Sequence, residues 1–132
     1  MKRLIYPAVF HPEDVGGYSV DFPDLLGCVT EGDTLEEAIR MAEDALGIYL
    51  YSLKEDGEAA PEPSDPADIK LSGRDFVSLI SYDEVAYLKR TDSHSVKKTL
   101  AIPAWMDTLA RESNLNFSNV LQNAIRRELG LA

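Results

Sequence analysis

The last forty residues, Ser93 to Ala132, read as one short strand followed by two helices, a unit too small to close a core by itself. From Val96 to Ile102 the side chains alternate. Val96, Lys98, Leu100 and Ile102 share one face, and Lys97, Thr99 and Ala101 share the other. Pro103 suits a first helical position, where its missing N–H costs nothing. Ala104 to Ser113 then reads as a short helix with Trp105, Met106, Leu109 and Ala110 as its apolar residues. Asn114, Leu115 and Asn116 make a turn, and Asn116 is positioned to cap a second helix over Phe117–Leu129. In that helix Phe117, Val120, Leu121, Ala124 and Ile125 recur at the spacing of a buried stripe, and Gly130 supplies the stop.

A unit below about 40 residues rarely buries enough surface without a disulfide, a metal or a partner chain. This segment contains no cysteine. A lone strand also leaves its backbone groups unpaired, and the simplest completion is the same strand of a second molecule, antiparallel to the first. The expectation is an obligate homodimer, with higher oligomers left open. A two-stranded ribbon has one face on the helices and the other free to enter a DNA major groove.

The run Ser95-Val-Lys-Lys-Thr-Leu-Ala-Ile-Pro-Ala-Trp-Met106, followed by Asn114-Leu-Asn-Phe-Ser-Asn-Val-Leu121, resembles the ribbon-helix-helix domain of Arc-type repressors as carried by HicB-type antitoxins. The resemblance implies that Lys97, Thr99 and Ala101 face the groove, and that Asn116, Phe117 and Ser118 lie against a phosphate. The second implication agrees with the general tendency of helix N-termini to hold anions. Ala101 offers only a methyl group, so base readout would rest mainly on Lys97 and Thr99. The plainer reading is a hairpin used for dimerisation alone.

Charge favours the DNA reading. The chain carries a net −10, yet Ser93–Ala132 holds Lys97, Lys98, Arg111, Arg126 and Arg127 against Asp107, Glu112 and Glu128, a net of +2. Residues 1–92 hold 8 basic against 20 acidic residues, a net of −12. Charges beyond a Debye length of about 8 Å are largely screened at physiological salt, so a basic tail can touch phosphates beside an acidic body. Acidic surfaces ordinarily keep a protein soluble, and the alternative here is a basic partner.

Residues 1–92 read as a small α+β domain and 93–132 as a second domain. Leu4–Phe10 is a strand, His11–Gly17 a polar turn, Tyr18–Phe22 a second strand, Pro23–Gly27 a turn, and Cys28–Glu31 a third strand. Asp33 or Thr34 caps a helix, with Glu36 at capping-box spacing from Asp33. Leu35, Ala38, Ile39, Ala42, Leu46, Tyr49 and Leu53 form its stripe, ended by Gly57. Glu58–Pro66 is a solvated loop. Phe76–Ile80 is apolar enough for an interior fourth strand, Asp83–Arg90 forms a brief helix, and Thr91–Ser95 is a linker. The long helix would make a crossover covering one face of the sheet, with nothing large left to cover the other.

The words Gly17-Tyr-Ser-Val-Asp-Phe-Pro-Asp-Leu-Leu-Gly-Cys28 and Val29-Thr-Glu-Gly-Asp-Thr-Leu-Glu-Glu-Ala38 resemble the N-terminal domain of HicB-type antitoxins, so the likeness spans nearly the whole chain. Leu26 stands where that family frequently has proline. The resemblance implies a reduced ribonuclease H-like fold that binds a small basic HicA-type toxin, an RNA-cleaving protein, while the ribbon binds the operator DNA of its own operon as a repressor. Asp21 and Asp24, on the turn after the second strand, are the expected toxin contacts. A repressor with a small-ligand-sensing N-terminal domain is the alternative, and a deep apolar pocket between sheet and helix would favour it.

Catalysis is not expected. Metal-dependent phosphodiester cleavage needs several converging carboxylates, and Asp21 and Asp24 find no evident third. No metal or cofactor site is expected: His11 reads as an exposed turn residue, His94 as part of the linker, and neither has ligand spacing with a second histidine or with Cys28. Cys28 reads as a small buried thiol, and Trp105 as a core or dimer-interface residue. No apolar run reaches the roughly 18 residues of a membrane span, and Lys2-Arg3 precedes no signal-peptide core. The expected compartment is the cytoplasm.

Overall fold

Strand alternation on one long helix organises the N-terminal part of the chain. The computed structural model describes residues 3–131, so Lys2 and Ala132 lie outside the described residues. Four strands, β1 (Arg3–Pro12), β2 (Tyr18–Asp21), β3 (Val29–Gly32) and β4 (Phe76–Asp83), form an antiparallel sheet of order β3-β2-β1-β4. Helices α1 (Leu35–Glu55) and α2 (Glu84–Thr91) complete this unit, and α3 (Ala104–Glu112) and α4 (Phe117–Glu128) follow in the tail. Backbone contacts divide the chain into two compact units, residues 1–94 and 95–132.

In the first unit Tyr6, Ala8 and Phe10 of β1 point to one face with Val20, Ile80 and Tyr82. Against them α1 lays Ala38, Ala42, Leu46 and Leu50, all buried. Each large apolar side chain removed from water in this way contributes about 1.5–3 kcal/mol. Phe10 stacks on its cross-strand partner Phe76 at 5.2 Å between ring centroids. Thr34 rather than Asp33 caps α1, its Oγ1 accepting the Glu37 N–H at 3.1 Å. At the other end Gly57 takes φ +72°, which stops the helix.

Gly32 explains the glycine in the second family word. A Cβ there would lie 2.4 Å from the Ala38 nitrogen and 2.6 Å from its Cα, so β3 passes the first turn of α1 with no room for a side chain. Gly17, at φ +82°, turns the β1–β2 hairpin directly against the Gly32 carbonyl.

Three expectations change. The first strand runs through His11 to Pro12, because His11 pairs with Ser19 and Pro12 with Tyr18; only residues beyond them turn. The fourth strand is longer than expected and lies at the sheet edge, antiparallel to β1; α1 does cross from β3 at one edge to β4 at the other and covers one face, though the strands it joins run antiparallel. Its apolarity comes from Phe76, Ile80 and Tyr82 facing α1, which an edge strand needs as much as an interior one. Cys28 is buried but belongs to the turn, its N–H donating to Leu25 O and its carbonyl accepting from Phe22 N–H.

The second sheet face is partly covered after all. Pro7 and Val9 point away from α1 and are nonetheless buried. The connection between α1 and β4 accounts for this: Ser64 bonds Asp24, and Asp68 and Ile69 wall a hollow beside Val9. Pro7 is tolerated mid-strand because β2 pairs only with Val9–Pro12, leaving β1 a single sheet neighbour there.

In the second unit α3 and α4 form where the periodicity placed them, and the Asn116 side chain accepts the Asn119 N–H at 3.1 Å as the cap of α4. Residues 96–102 carry no strand. A single chain offers this segment no antiparallel neighbour, so the ladder that defines a strand cannot form. The apolar stripe is likewise not buried by this chain: Phe117 is 45% exposed, Val120 49% and Ile125 47%. Trp105, at 64% exposure, is no core residue of the single chain. Among the described residues of this unit Ala110 alone is buried.

Candidate functional site

Two surfaces collect the chemistry-bearing side chains. On the face of the sheet away from α1, cross-strand register sets His11 of β1 opposite Ser19 and next to Asp21 of β2. His11 Nε2 contacts the Asp21 carboxylate, and Nδ1 lies 2.9 Å from Asp75 Oδ2 at the entry to β4. Protonated, the imidazole donates to both carboxylates. The Asp21 hydrogen bond is the largest effect on its pKa; burial opposes it, and Asp75 adds to it, so that the pKa lies above the ordinary 6.5. His11 is thus a bracket between β2 and the α1–β4 connection, which the His-Pro turn reading missed. Its partners are distant in sequence, and only the continued alternation of β1 past Phe10 pointed to it.

Asp21 and Asp24 do not converge. Asp21 faces His11, whereas Asp24 accepts from the Ser64 N–H at 2.9 Å and from the Ser64 hydroxyl, fastening the connection to the turn after β2. Leu26 of that turn is 93% accessible, and Pro23 and Gly27 are exposed beside it. Among the described residues no group of three or more His, Cys, Asp or Glu side chains is arranged to hold a metal ion. Burial pushes the Cys28 thiol up to about 11, far from the range of a reactive thiolate.

Two shallow hollows of about 510 Å3 each share His11 and Asp21. One is lined further by Pro23, Ser64, Asp68 and Lys70, the other by Val29, Thr30 and Glu31. Both open on solvent with mixed polar walls. The space between α1 and the sheet is filled by Tyr6, Phe10, Val20 and Leu46.

The second surface is the tail. Lys97, Thr99 and Ala101 are exposed in the irregular segment before α3, and Asn116, Phe117 and Ser118 are exposed at the start of α4. The Asn116 side chain is spent on the cap, so an anion there would meet the outward N–H groups of Phe117 and Ser118. Arg126 and Arg127 sit in the last turn of α4, where cations suit the helix dipole. His94 pairs with Asp92 at 3.0 Å. No helix among the described residues is long and apolar enough to cross a membrane.

Known proteins are similar to this chain in sequence and in fold. Antitoxin HicB 1 of Photorhabdus laumondii subsp. laumondii is 42% identical over 85 residues, covering 61% of this chain and 55% of the relative. The chain spans about half the length of the curated relatives it matches. Among solved structures, a toxin–antitoxin complex from Streptococcus pneumoniae contains a chain 33% identical, with TM-score 0.61 and coverage of 96% of this chain and 99% of that one. A HicA3 and HicB3 toxin–antitoxin complex matches at 27% identity and TM-score 0.51, over 61% of this chain and 99% of that one. Residues 6–125 match the family described as HicB_like antitoxin of bacterial toxin-antitoxin system, and with a four-stranded antiparallel sheet of the same fold the chain belongs to that family.

Proposed function

We propose that this protein neutralises a small basic RNA-cleaving toxin of the HicA type through residues 1–92 and represses its own operon through a tail that dimerises as a ribbon-helix-helix. The observation that carries the first half is the family match over residues 6–125, supported by the likeness to chains from two toxin–antitoxin complexes. In this reading the N-terminal sheet and helix are a reduced ribonuclease H-like fold used for binding, not catalysis. Its surface suits a basic partner, with 20 acidic against 8 basic residues in 1–92. Asp21 and Asp24 are contacts that exchange an internal partner, His11 or Ser64, for a cationic side chain of the toxin.

For the tail, the exposed apolar residues Leu100, Ile102, Trp105, Phe117 and Val120 are the surface a second copy would bury. Pairing residues 96–102 of two chains turns Lys97, Thr99 and Ala101 toward DNA, with Asn116, Phe117 and Ser118 at the phosphate backbone. The ligand-sensing alternative is less favoured, since Tyr6, Phe10, Val20 and Leu46 fill the centre of the layer between α1 and the sheet, and the two hollows beside His11 are shallow and open to solvent.

The test is an RNA-cleavage assay with the HicA-type toxin: one equivalent of this chain should abolish cleavage. Undiminished cleavage at excess chain sinks the antitoxin half. Independently, Lys97→Ala or Thr99→Ala should weaken operator binding by about 1–3 kcal/mol at fixed salt and leave neutralisation intact. Operator affinity unchanged in both variants defeats the ribbon assignment.

A further inference from the structure

We infer, resting on the antitoxin reading, that the toxin docks on the β2–β3 end of the sheet, with Leu26 and Val29 as apolar anchors inside a frame of carboxylates. Leu26 stands almost fully exposed on the turn between β2 and β3, and Val29, at the start of β3, is 65% exposed. Single exposed apolar residues are ordinary, but these two flank one end of a turn in surroundings of a single charge sign. Cross-strand pairing sets Val29 beside Asp21 and Glu31 beside Ser19 on the face away from α1. Together with His11 these residues line a hollow of about 510 Å3, and no lysine or arginine lines it. A long cationic side chain suits that place, its methylenes along Val29 and its charge between Asp21 and Glu31.

Charge selects the occupant. From Leu4 to Ile39 the sequence holds eight carboxylates and no lysine or arginine, and His11 is its one side chain able to carry a positive charge. A surface built from such a stretch draws a basic protein and speeds its encounter. It repels operator DNA, and equally a second copy of this unit with its net −12. The other half of the same sheet face differs. Leu79 and Ile5 are half exposed there, but Arg74 leads directly into β4 and Lys70 lines the neighbouring hollow. Affinity at the β2–β3 end then comes chiefly from burying Leu26 and Val29, and speed of association from the carboxylates.

Association and dissociation rates of the full chain with the HicA-type toxin test the surface. Leu26→Ser and Val29→Ser should each speed dissociation about tenfold or more, at low and high salt alike. Glu31→Gln should instead slow association at low salt and leave dissociation nearly unchanged. Leu79→Ser, on the other half of the same face, should match wild type in both rates. Thermal melting, oligomeric mass and operator affinity should stay at wild-type values in all four variants and report an intact fold. Wild-type dissociation in both Leu26→Ser and Val29→Ser, in a chain that still neutralises the toxin, overturns the surface and leaves the antitoxin reading standing. A larger loss in Leu79→Ser than in either moves docking to the β4 half and overturns it too. A changed oligomeric mass in Leu26→Ser or Val29→Ser makes the occupant a second copy, with the same result. A wild-type chain that the toxin does not bind ends both readings together.

Discussion

Gly32 and Gly47 look alike in the sequence and fail differently when filled. Alanine at Gly32 drives its Cβ into the backbone of Ala38, which cannot rotate away, so α1 must lift from β3. Gly32→Ala should lose at least about 1–3 kcal/mol in urea unfolding. Alanine at Gly47 meets the Tyr87 ring of α2 at 2.5 Å, a side chain that can move. Gly47→Ala should loosen α2, yet in a Tyr87→Ala background the same change should stabilise by up to about 1 kcal/mol, the helix propensity difference. A stabilising effect of Gly47→Ala in the wild-type background would show that Tyr87 does not hold that position. His11 adds a pH dependence. Its folded pKa lies above 6.5, so its contribution is fully present below that value and is lost as pH rises through the folded pKa. Stability should therefore decline from pH 6.5 upward, as the ring loses its charge and one of the two carboxylates loses its N–H donor, and His11→Gln should flatten that part of the profile in thermal melts.

At the scale of elements, what the sequence made legible depended on whether the partner was local. Helix α1 and its stripe followed from spacing, because Ala38, Ala42 and Leu46 repeat within one element. The edge position of β4 did not, since strand order is set by register with β1 at the far end of the unit. The same division holds for the site: Asp21 was visible as a turn-flanking carboxylate, while its pairing with His11 and the Asp24–Ser64 tie needed two segments brought together by the fold. In the tail the missing strand is the informative departure. Residues 96–102 are exposed and unladdered alone, and the ribbon reading gives them a ladder only in the dimer. Trypsin should cut after Lys97 or Lys98 at concentrations where the chain is monomeric, and saturating operator DNA should suppress that cut. Equal cleavage with and without operator, at concentrations where DNA is bound, would mean that DNA does not order this segment.

Across the whole molecule, opposite charges are carried on one chain, with a net −12 on residues 1–92 and +2 on residues 93–132. Such a division has a measurable consequence for DNA, itself a dense line of negative charge. In the proposed operator complex, direct phosphate contacts by Lys97, Lys98, Arg111, Arg126 or Arg127 would weaken as salt rises, because condensed counterions are released at contact. Repulsion between the acidic unit and the duplex also fades with salt, but in the opposite sense for affinity. The Debye length falls from about 30 Å at 0.01 M to about 8 Å at 0.15 M, so the repulsion is felt mainly in dilute salt. Replacing the exposed Glu36, Glu55 and Glu62 by glutamine should therefore tighten operator binding at low ionic strength and leave it nearly unchanged near physiological salt. The plot of log affinity against log salt should become steeper in the variant. A parallel shift of that plot at all salt concentrations would instead mean that these carboxylates act through short-range contact or through folding, and the long-range account of how an acidic body and a basic tail coexist would fail.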